Sequence, residues 1–359
     1  MNNYFCCYKC RSDLFFKDGS FECIKCNLKY QSNHGIFDLR NIDSQDTKGF
    51  SIKKDFVISN IISKYFDKFK YFNGILKFYE KVSLLDDNVL NDDSKLNEIT
   101  YELQKFDNPQ TADQIIHGYD ILNKVNLYRE EFNFPDFKKN VCLENGAGHG
   151  LFIDGFSKNF EKVIVIDFSL SYLLICKKLC EERKINNAIL ICASVEELPI
   201  KSNVIDFIHS NNVIEHVTNQ DFMIKEISRV LSNKGLLFLL SPNKNSAYFE
   251  PHYGLPFYGF FPLKFRYWYI YKTRKIDCRD VSLLNLKELK NIFYKNFNGR
   301  SRLTFLPSKL KKTAQTSLIR KIIVFLISNR ILGSIFSFLI NKLFIGIVPY
   351  HVIIAKKND

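Results

Sequence analysis

The 359-residue sequence predicts an α/β protein built on a doubly wound, mostly parallel sheet, with a small metal-stapled unit in front of it. Three observations predict this. Short apolar runs alternate with helical stretches through the middle of the chain. The first of those runs opens into a loop of alternating glycines. Two Cys-x2-Cys pairs stand near the N-terminus. Hydrophobic residues at 46% and charged residues at 25% suit a folded chain and exclude a disordered one.

In order along the chain, Cys7 and Cys10 form one pair and Cys23 and Cys26 the other, with twelve residues between the pairs. Each pair turns two thiolates toward one point. Two such turns make a four-thiolate tetrahedral site with no open position, which is structural rather than catalytic zinc. Between them "KDGS" reads as a hairpin turn, since Asp-Gly supplies the positive φ that a tight turn needs. So short a unit has little core, so the metal supplies much of its folding energy. The opening "MNNYFCCYKCRSD" lacks the apolar stretch of a secretory signal, which gives an expectation of a location inside the cell. There the ten cysteines are reduced thiols or metal ligands.

The stretch "CCYKCRSDLFFKDGSFECIKCNLKYQSNHGIFDLR" resembles the zinc-ribbon module at the N-terminus of many bacterial methyltransferases, including its tail (Tyr30, Gly35, Ile36, Leu39). Tyr8 stands where that module often has proline, which leaves the ligand spacing intact. The ribbon is expected over 1–40. From 41 to 134 the chain is polar and aromatic, and "SIKKDFVISNIISKYFDKF" carries helix-like apolar spacing, so this region is read as helices linking the ribbon to the next domain and covering its site.

The domain from 135 to 359 holds the alternating runs. "NVCLE", "KVIVID", "AILICA", "VIDFIHS" and "GLLFLLS" are the near-continuous apolar strands of a buried parallel sheet. "LSYLLICKKLCEERK" and "QDFMIKEISRVLSNKG" are the helices, the second ending at Gly235. In "VCLENGAGHG" the glycines Gly146, Gly148 and Gly150 alternate after an acid, Glu144. A dinucleotide fingerprint needs its third glycine three places after the second, and Leu151 stands there. Asp167 ends the next strand, where an acid accepts two hydrogen bonds from a ribose diol.

Residues 141–241 resemble class I S-adenosylmethionine-dependent methyltransferases, of the broad group acting on small molecules, quinones, sugars and lipids. "VCLENGAGHG" resembles that family's first motif, "VIVIDFS" its second, and "ASVEELPIKSNVIDFIHSNNVIEHV" and "SRVLSNKGLLFLLSPN" its later strands. "PYHVIIAKKND" resembles the last strand of the fold. The resemblance implies a seven-stranded Rossmann-like sheet and S-adenosylmethionine as cofactor. It implies cofactor contacts from Glu144, Gly146, Gly148, Gly150, Asp167, Phe168, Ser194, Val195 and Asn211, with Ser194 in the place of an acid that meets the adenine amino group. His149 then lines the pocket.

Methyl transfer from a sulfonium asks mainly for a nucleophile placed in line. A base is needed only where the acceptor must lose a proton. His216, after the fourth strand, and His252, after "SPN", are the candidates, with a packing role and an exposed loop position as their rival readings. "SNNVIEH" lacks the Asn/Asp-Pro-Pro-aromatic motif of amide and exocyclic nitrogen methylation. Cys142 and Cys192 fall inside strands, which speaks against cytosine C5 chemistry.

Two insertions complete the reading. Residues 243–280 are read as an aromatic, basic loop with a short helix, and the resemblance implies that an insertion here shapes the acceptor pocket. There Arg266, Lys272, Arg274 and Lys275 interleave with Tyr267, Trp268, Tyr269 and Tyr271, a mixture that suits lipid headgroups and RNA alike. Residues 308–347 are strongly apolar but broken by Arg330 and Asn341-Lys342, short of a spanning helix and suited to lying in a membrane interface, with helices packed against the domain as the rival reading. The net charge of +13 is concentrated late. Between Leu289 and Asn358 there are 13 Lys and Arg and no acid. A low-GC genome rich in Lys and Asn is the bland alternative. The expectation is an O-methyltransferase peripheral on the inner membrane face, acting on a small-molecule or lipid-linked acceptor (a glycolipid or polyprenyl-linked sugar, or a quinone precursor). An RNA methyltransferase and a non-catalytic binding module are its rivals. The sequence leaves the oligomeric state open.

Overall fold

The structure is a computed structural model that describes residues 4–41, 50–110, 117–134, 136–246, 249–250, 255–256, 261–275, 281–297, 301–304 and 345–357. His252 and nearly all of the apolar stretch 308–347 lie outside the described residues, as does part of the loop 243–280.

The N-terminal unit is a three-stranded antiparallel sheet of β1 (Phe15–Lys17), β2 (Ser20–Cys23) and β3 (Leu28–Tyr30), turning at Asp18 and Gly19, both at positive φ. Two short strands follow, β4 (Ser32–Asn33) and β5 (Ile36–Asp38). Then come the helices α1 (Ile52–Tyr65), α2 (Phe72–Val82), α3 (Asp87–Leu90), α4 (Asp93–Leu103) and α5 (His117–Glu131).

The remainder alternates as β6 (Val141–Asn145), α6 (Ile153–Ser157), β7 (Lys162–Asp167), α7 (Leu170–Arg183), β8 (Ala188–Cys192), β9 (Ile205–Asn211), α8 (Gln220–Val230) and β10 (Leu231–Pro242). The helix α8 ends at Val230, not at Gly235, because the chain from Leu231 already runs as strand beside β9. Beyond it lie β11 (Phe249–Glu250), β12 (Leu255–Pro256), α9 (Leu263–Arg274), α10 (Leu286–Phe297), β13 (Ser301–Thr304) and β14 (Tyr350–Lys356).

The large sheet runs β13-β14-β10-β9-β6-β7-β8-β5-β4, with β14 antiparallel to both of its neighbours and β6 through β10 parallel. Six of these strands are runs located in the sequence, and β13 makes up the seven that the resemblance implies. The other two, β5 and β4, belong to the N-terminal unit: Phe37 and Asp38 pair in parallel with Ile191 and Cys192. The tail of the ribbon unit thus extends the large sheet, while β1-β2-β3 remains a sheet of its own.

Its core is shared as well. On one face of the sheet Phe5, Cys7, Leu14 and Phe21 pack with Leu143, Ile164 and Ile166 and with α8 and α10. The segment 193–204, which crosses from β8 toward β9, contains no helix. Cys6 N donates to Pro199 O, Lys201 N to Tyr4 O, and Arg11 to Leu198 O, so the ribbon lies over this crossing. It buries apolar strand surface that a crossover helix covers in most parallel sheets. The opposite face is covered by α6, α7 and the helices α1, α2, α4 and α5. The N-terminus of α2 is tied to α7 where Glu182 accepts from Phe72 N at 2.8 Å, an acid at the positive end of a helix. Among the described residues no helix is long and apolar enough to cross a membrane.

Candidate functional site

The site forms where the parallel strands end, at the β6 glycine loop. Gly146 N and Ala147 N both donate to Ile166 O, at 2.9 and 3.0 Å, so the loop folds over the end of β7. Gly148 N donates to Asp167 Oδ2 at 2.8 Å, and Asp167 Oδ1 accepts from Ser169 N at 2.9 Å. Glycine loop and second-strand acid are therefore one hydrogen-bonded unit. Gly146 takes φ +81, and a Cβ there would stand 2.4 Å from Val213 Cγ2. Gly148 takes φ +50, and a Cβ there would meet nothing within 4 Å. The first glycine is needed for close packing, the second to leave space free.

At the ends of β6 and β9 and within the glycine loop, buried polar atoms lack partners among the described residues: Asn145 Oδ1, Asn211 Oδ1 and His149 Nε2. Buried polar groups are normally satisfied, so such atoms on the loop and at the strand ends fit a polar ligand. Burial raises Asp167 to about 6, against the hydrogen bonds from Ser169, Gly148 and Phe168. Each carboxylate oxygen has a second lone pair beyond its backbone donor, which is what a ribose diol needs. The residues present therefore fit S-adenosylmethionine.

The structure distributes the expected residues unevenly. Glu144 is buried, and its Oε2 lies 2.7 Å from Nδ1 of His209 on the neighbouring strand, so one of its oxygens serves an internal pair. Burial raises its pKa, and His209 opposes that shift. Phe168 is half-buried, with Phe50 against its ring at 5.3 Å. Val195 is buried, and the Ser194 hydroxyl accepts from Glu196 N at 3.2 Å. His149 stands edge-on to Tyr172 at 4.8 Å, and burial lowers its pKa. His216 lies in the turn after β9 with its side chain 48% exposed, 4.0 Å from Glu215. An open groove outside β8, lined by Gly35, Phe37, Lys177 and Leu190, lacks this acid-and-glycine set and is not the donor cleft.

At the ribbon, the Sγ atoms of Cys7, Cys10, Cys23 and Cys26 all lie within 4.8 Å of one another. The Tyr30 hydroxyl is 3.2 Å from the Cys7 sulfur, a second contact that orients one ligand. Four thiols at this separation fit one tetrahedral zinc ion and leave no position open for substrate.

Sequence reasoning passed over Arg40, Asp55, Tyr79 and His209. Asp55 and Tyr79 sit on cover helices read only as amphipathic. Tyr79 nonetheless packs on Tyr172 at 5.1 Å and faces His149 at 6.1 Å beside the glycine loop. The polar residue in a strand, His209 opposite Glu144, was the one legible signal.

Residues 143–239 match the family model described as a methyltransferase domain. An uncharacterized protein of Methanocaldococcus jannaschii is 37% identical over 127 residues, covering 35% of this chain and half the length of that protein. A protein of Pelagibacter ubique named ubiquinone biosynthesis O-methyltransferase is 28% identical over 184 residues, 48% of this chain and 75% of that one. Among solved structures, a Thermotoga maritima protein titled SAM-dependent methyltransferase, possible histamine N-methyltransferase, overlays with a TM-score of 0.38 at 16% identity, covering 68% of this chain and 94% of that one. With its glycine loop, second-strand acid and matched segment, the chain carries a methyltransferase domain and, ahead of it, a four-cysteine unit that fits a zinc ribbon.

Proposed function

We propose that this protein transfers a methyl group from S-adenosylmethionine to an oxygen of a lipid-linked or otherwise membrane-proximal acceptor. One observation carries the donor half: Asp167 bonded to Gly148 N beside open space that a Cβ would enter. The donor, when bound, supplies a methyl group already activated on a sulfonium. Asp167 holds the ribose hydroxyls, the glycine loop admits the amino-acid end, and Asn145 and Asn211 offer their unpartnered oxygens as acceptors. The candidate proton acceptor is His216, exposed in the turn after β9.

The acceptor half is supported by the surface of α9. Phe265, Trp268 and Tyr271 are 43%, 51% and 57% exposed, at i, i+3 and i+6 on one face. Lys264, Lys272 and Lys275 are exposed with them, while Arg266 and Ile270 are buried opposite. The helix contains no acid. Arg266 donates to Phe261 O and Lys244 O and so fixes the helix on the body. Exposed rings interleaved with lysines seat well at an anionic lipid interface. The name of the Pelagibacter relative supports an oxygen acceptor.

The test has two arms. Calorimetric titration with S-adenosylhomocysteine should give micromolar-range binding that Asp167→Ala abolishes. Folded, zinc-loaded wild-type protein that fails to bind sinks the donor reading. Sedimentation with anionic vesicles should deplete the protein from the supernatant, and the triple variant F265A/W268A/Y271A should stay behind. Binding to RNA but not to vesicles would move the acceptor to nucleic acid.

A further inference from the structure

From the contacts of Arg40 we infer that it is a positioning residue of the donor site: clasped between Asp38 and Asp55, it sets from outside the methyltransferase domain the loop that carries Asp167. The inference rests on the donor reading above.

Arg40 is 3% exposed. Its Nε and one terminal nitrogen donate to the two oxygens of Asp38, at 2.9 and 2.6 Å. Its other terminal nitrogen donates to Asp55 Oδ2 at 3.3 Å and to Phe168 O at 3.0 Å. The guanidinium carbon lies 5.6 Å from the Phe168 ring centroid. Only a planar fork with several donors spans two carboxylates and a carbonyl in this way.

Asp55, on α1, completes the clasp. Its Oδ1 accepts from Ser169 Oγ at 2.7 Å and Ser171 N at 3.3 Å, and its Oδ2 accepts from Leu170 N at 2.9 Å. It thus occupies the free N–H groups at the start of α7, which Ser169 caps from within by accepting from Tyr172 N. Phe168 O, Leu170 N and Ser171 N, three backbone groups next to Asp167, end on residues 40 and 55. From the strand side, Asp38 pairs with Cys192, and Cys192 pairs with Asp167, so the ribbon tail lies in register with the ribose acid.

A buried ionic cluster is a poor source of stability, because desolvation offsets the attraction and apolar packing of equal volume serves as well. What it supplies is geometry. Here the geometry is that of the loop between Asp167 and α7. Ribbon, cover helix and glycine loop converge there, so the donor site is built by three parts of the chain and not by the methyltransferase segment alone.

The experiment uses the full, zinc-loaded chain and S-adenosylhomocysteine as probe. Wild type, R40M, R40K and D55N are titrated calorimetrically at 25 °C, and each is checked by thermal unfolding. R40M is expected to bind at least tenfold more weakly while still folded at the assay temperature. R40K should recover part of the loss, since an ammonium replaces the charge but not the fork. D55N, which keeps shape and removes charge, should weaken binding in the same direction, and it decides the matter if R40M does not fold. A variant that melts earlier yet binds as wild type shows that the clasp only docks the ribbon, and overturns the inference. Wild type that fails to bind overturns the donor reading itself, and this inference with it.

Discussion

Gly148→Ala is the sharpest perturbation of the donor cleft, because the structure separates its two costs. Gly148 sits at φ +50, where an L-residue costs about 1–2 kcal/mol relative to glycine. Its Cβ would meet no protein atom within 4 Å, so no steric cost adds to that strain in the free protein. The variant should therefore fold, with stability lowered by about 1–2 kcal/mol. The methyl nevertheless projects into the space assigned to the donor, so S-adenosylhomocysteine should bind at least tenfold more weakly, a loss of about 1.4 kcal/mol or more. Gly146→Ala is the control with the opposite signature. There φ is +81 and the Cβ would stand 2.4 Å from Val213 Cγ2, so overpacking adds to the backbone strain. Its stability should fall by about 2–5 kcal/mol, and Val213→Ala should return the steric part. Chemical denaturation and calorimetric titration on the same preparations read both quantities. Wild-type affinity in Gly148→Ala would refute the placement of the donor against this glycine.

Three further outcomes follow from the same geometry. Because burial lifts Asp167 to about 6 and a ribose diol donates to the ionised form, S-adenosylhomocysteine affinity should be level above about pH 7. It should weaken as pH falls through 6, and Asp167→Asn should lose both the affinity and the dependence. In the free protein the sign is reversed. An acid raised above its ordinary value of 3.8 favours folding most when protonated, so this group's contribution declines as pH rises from about 4 to 6 in urea titrations. Metal analysis should find one zinc per chain, lost in Cys23→Ser, and chelation should lower the unfolding temperature of the whole sheet because the ribbon core is continuous with it. Gly155→Ala should destabilise without touching the donor cleft, since its Cβ would lie 2.6 Å from the Gly118 backbone, where α5 crosses α6. A variant as stable as wild type would mean that these helices can part at little cost.

Much of the fold was legible in the chain. β6, β7 and β9 read as apolar runs because helices or ribbon cover both faces of the sheet, so nearly every side chain on them is buried. The Asp18-Gly19 turn and the cysteine pairs carried their local geometry in the residues themselves. The glycine loop was legible for the same reason: its positive φ values leave a residue signature. An acid placed like Glu144 looks alike in sequence whether it meets a ligand, a histidine on the next strand, or both. Its distance to His209 belongs to pairing between strands 65 residues apart.

The sequence by itself determined the local devices: four thiolates at metal-binding spacing, strands without polar faces, glycines where a side chain is excluded, and an acid at the end of the second strand. Their physical basis lies within a few residues of each, so composition and spacing record it. Only the tertiary structure decided that the ribbon joins the sheet edge, that it covers a crossing with no helix, and that Arg40 and Asp55 reach the donor loop. Asp55 meets Leu170 across 115 positions of chain, and Arg40 meets Phe168 across 128. Contacts of that range follow from how whole elements pack, and an isolated Arg or Asp in a helix-rich stretch carries no local pattern that announces its partner.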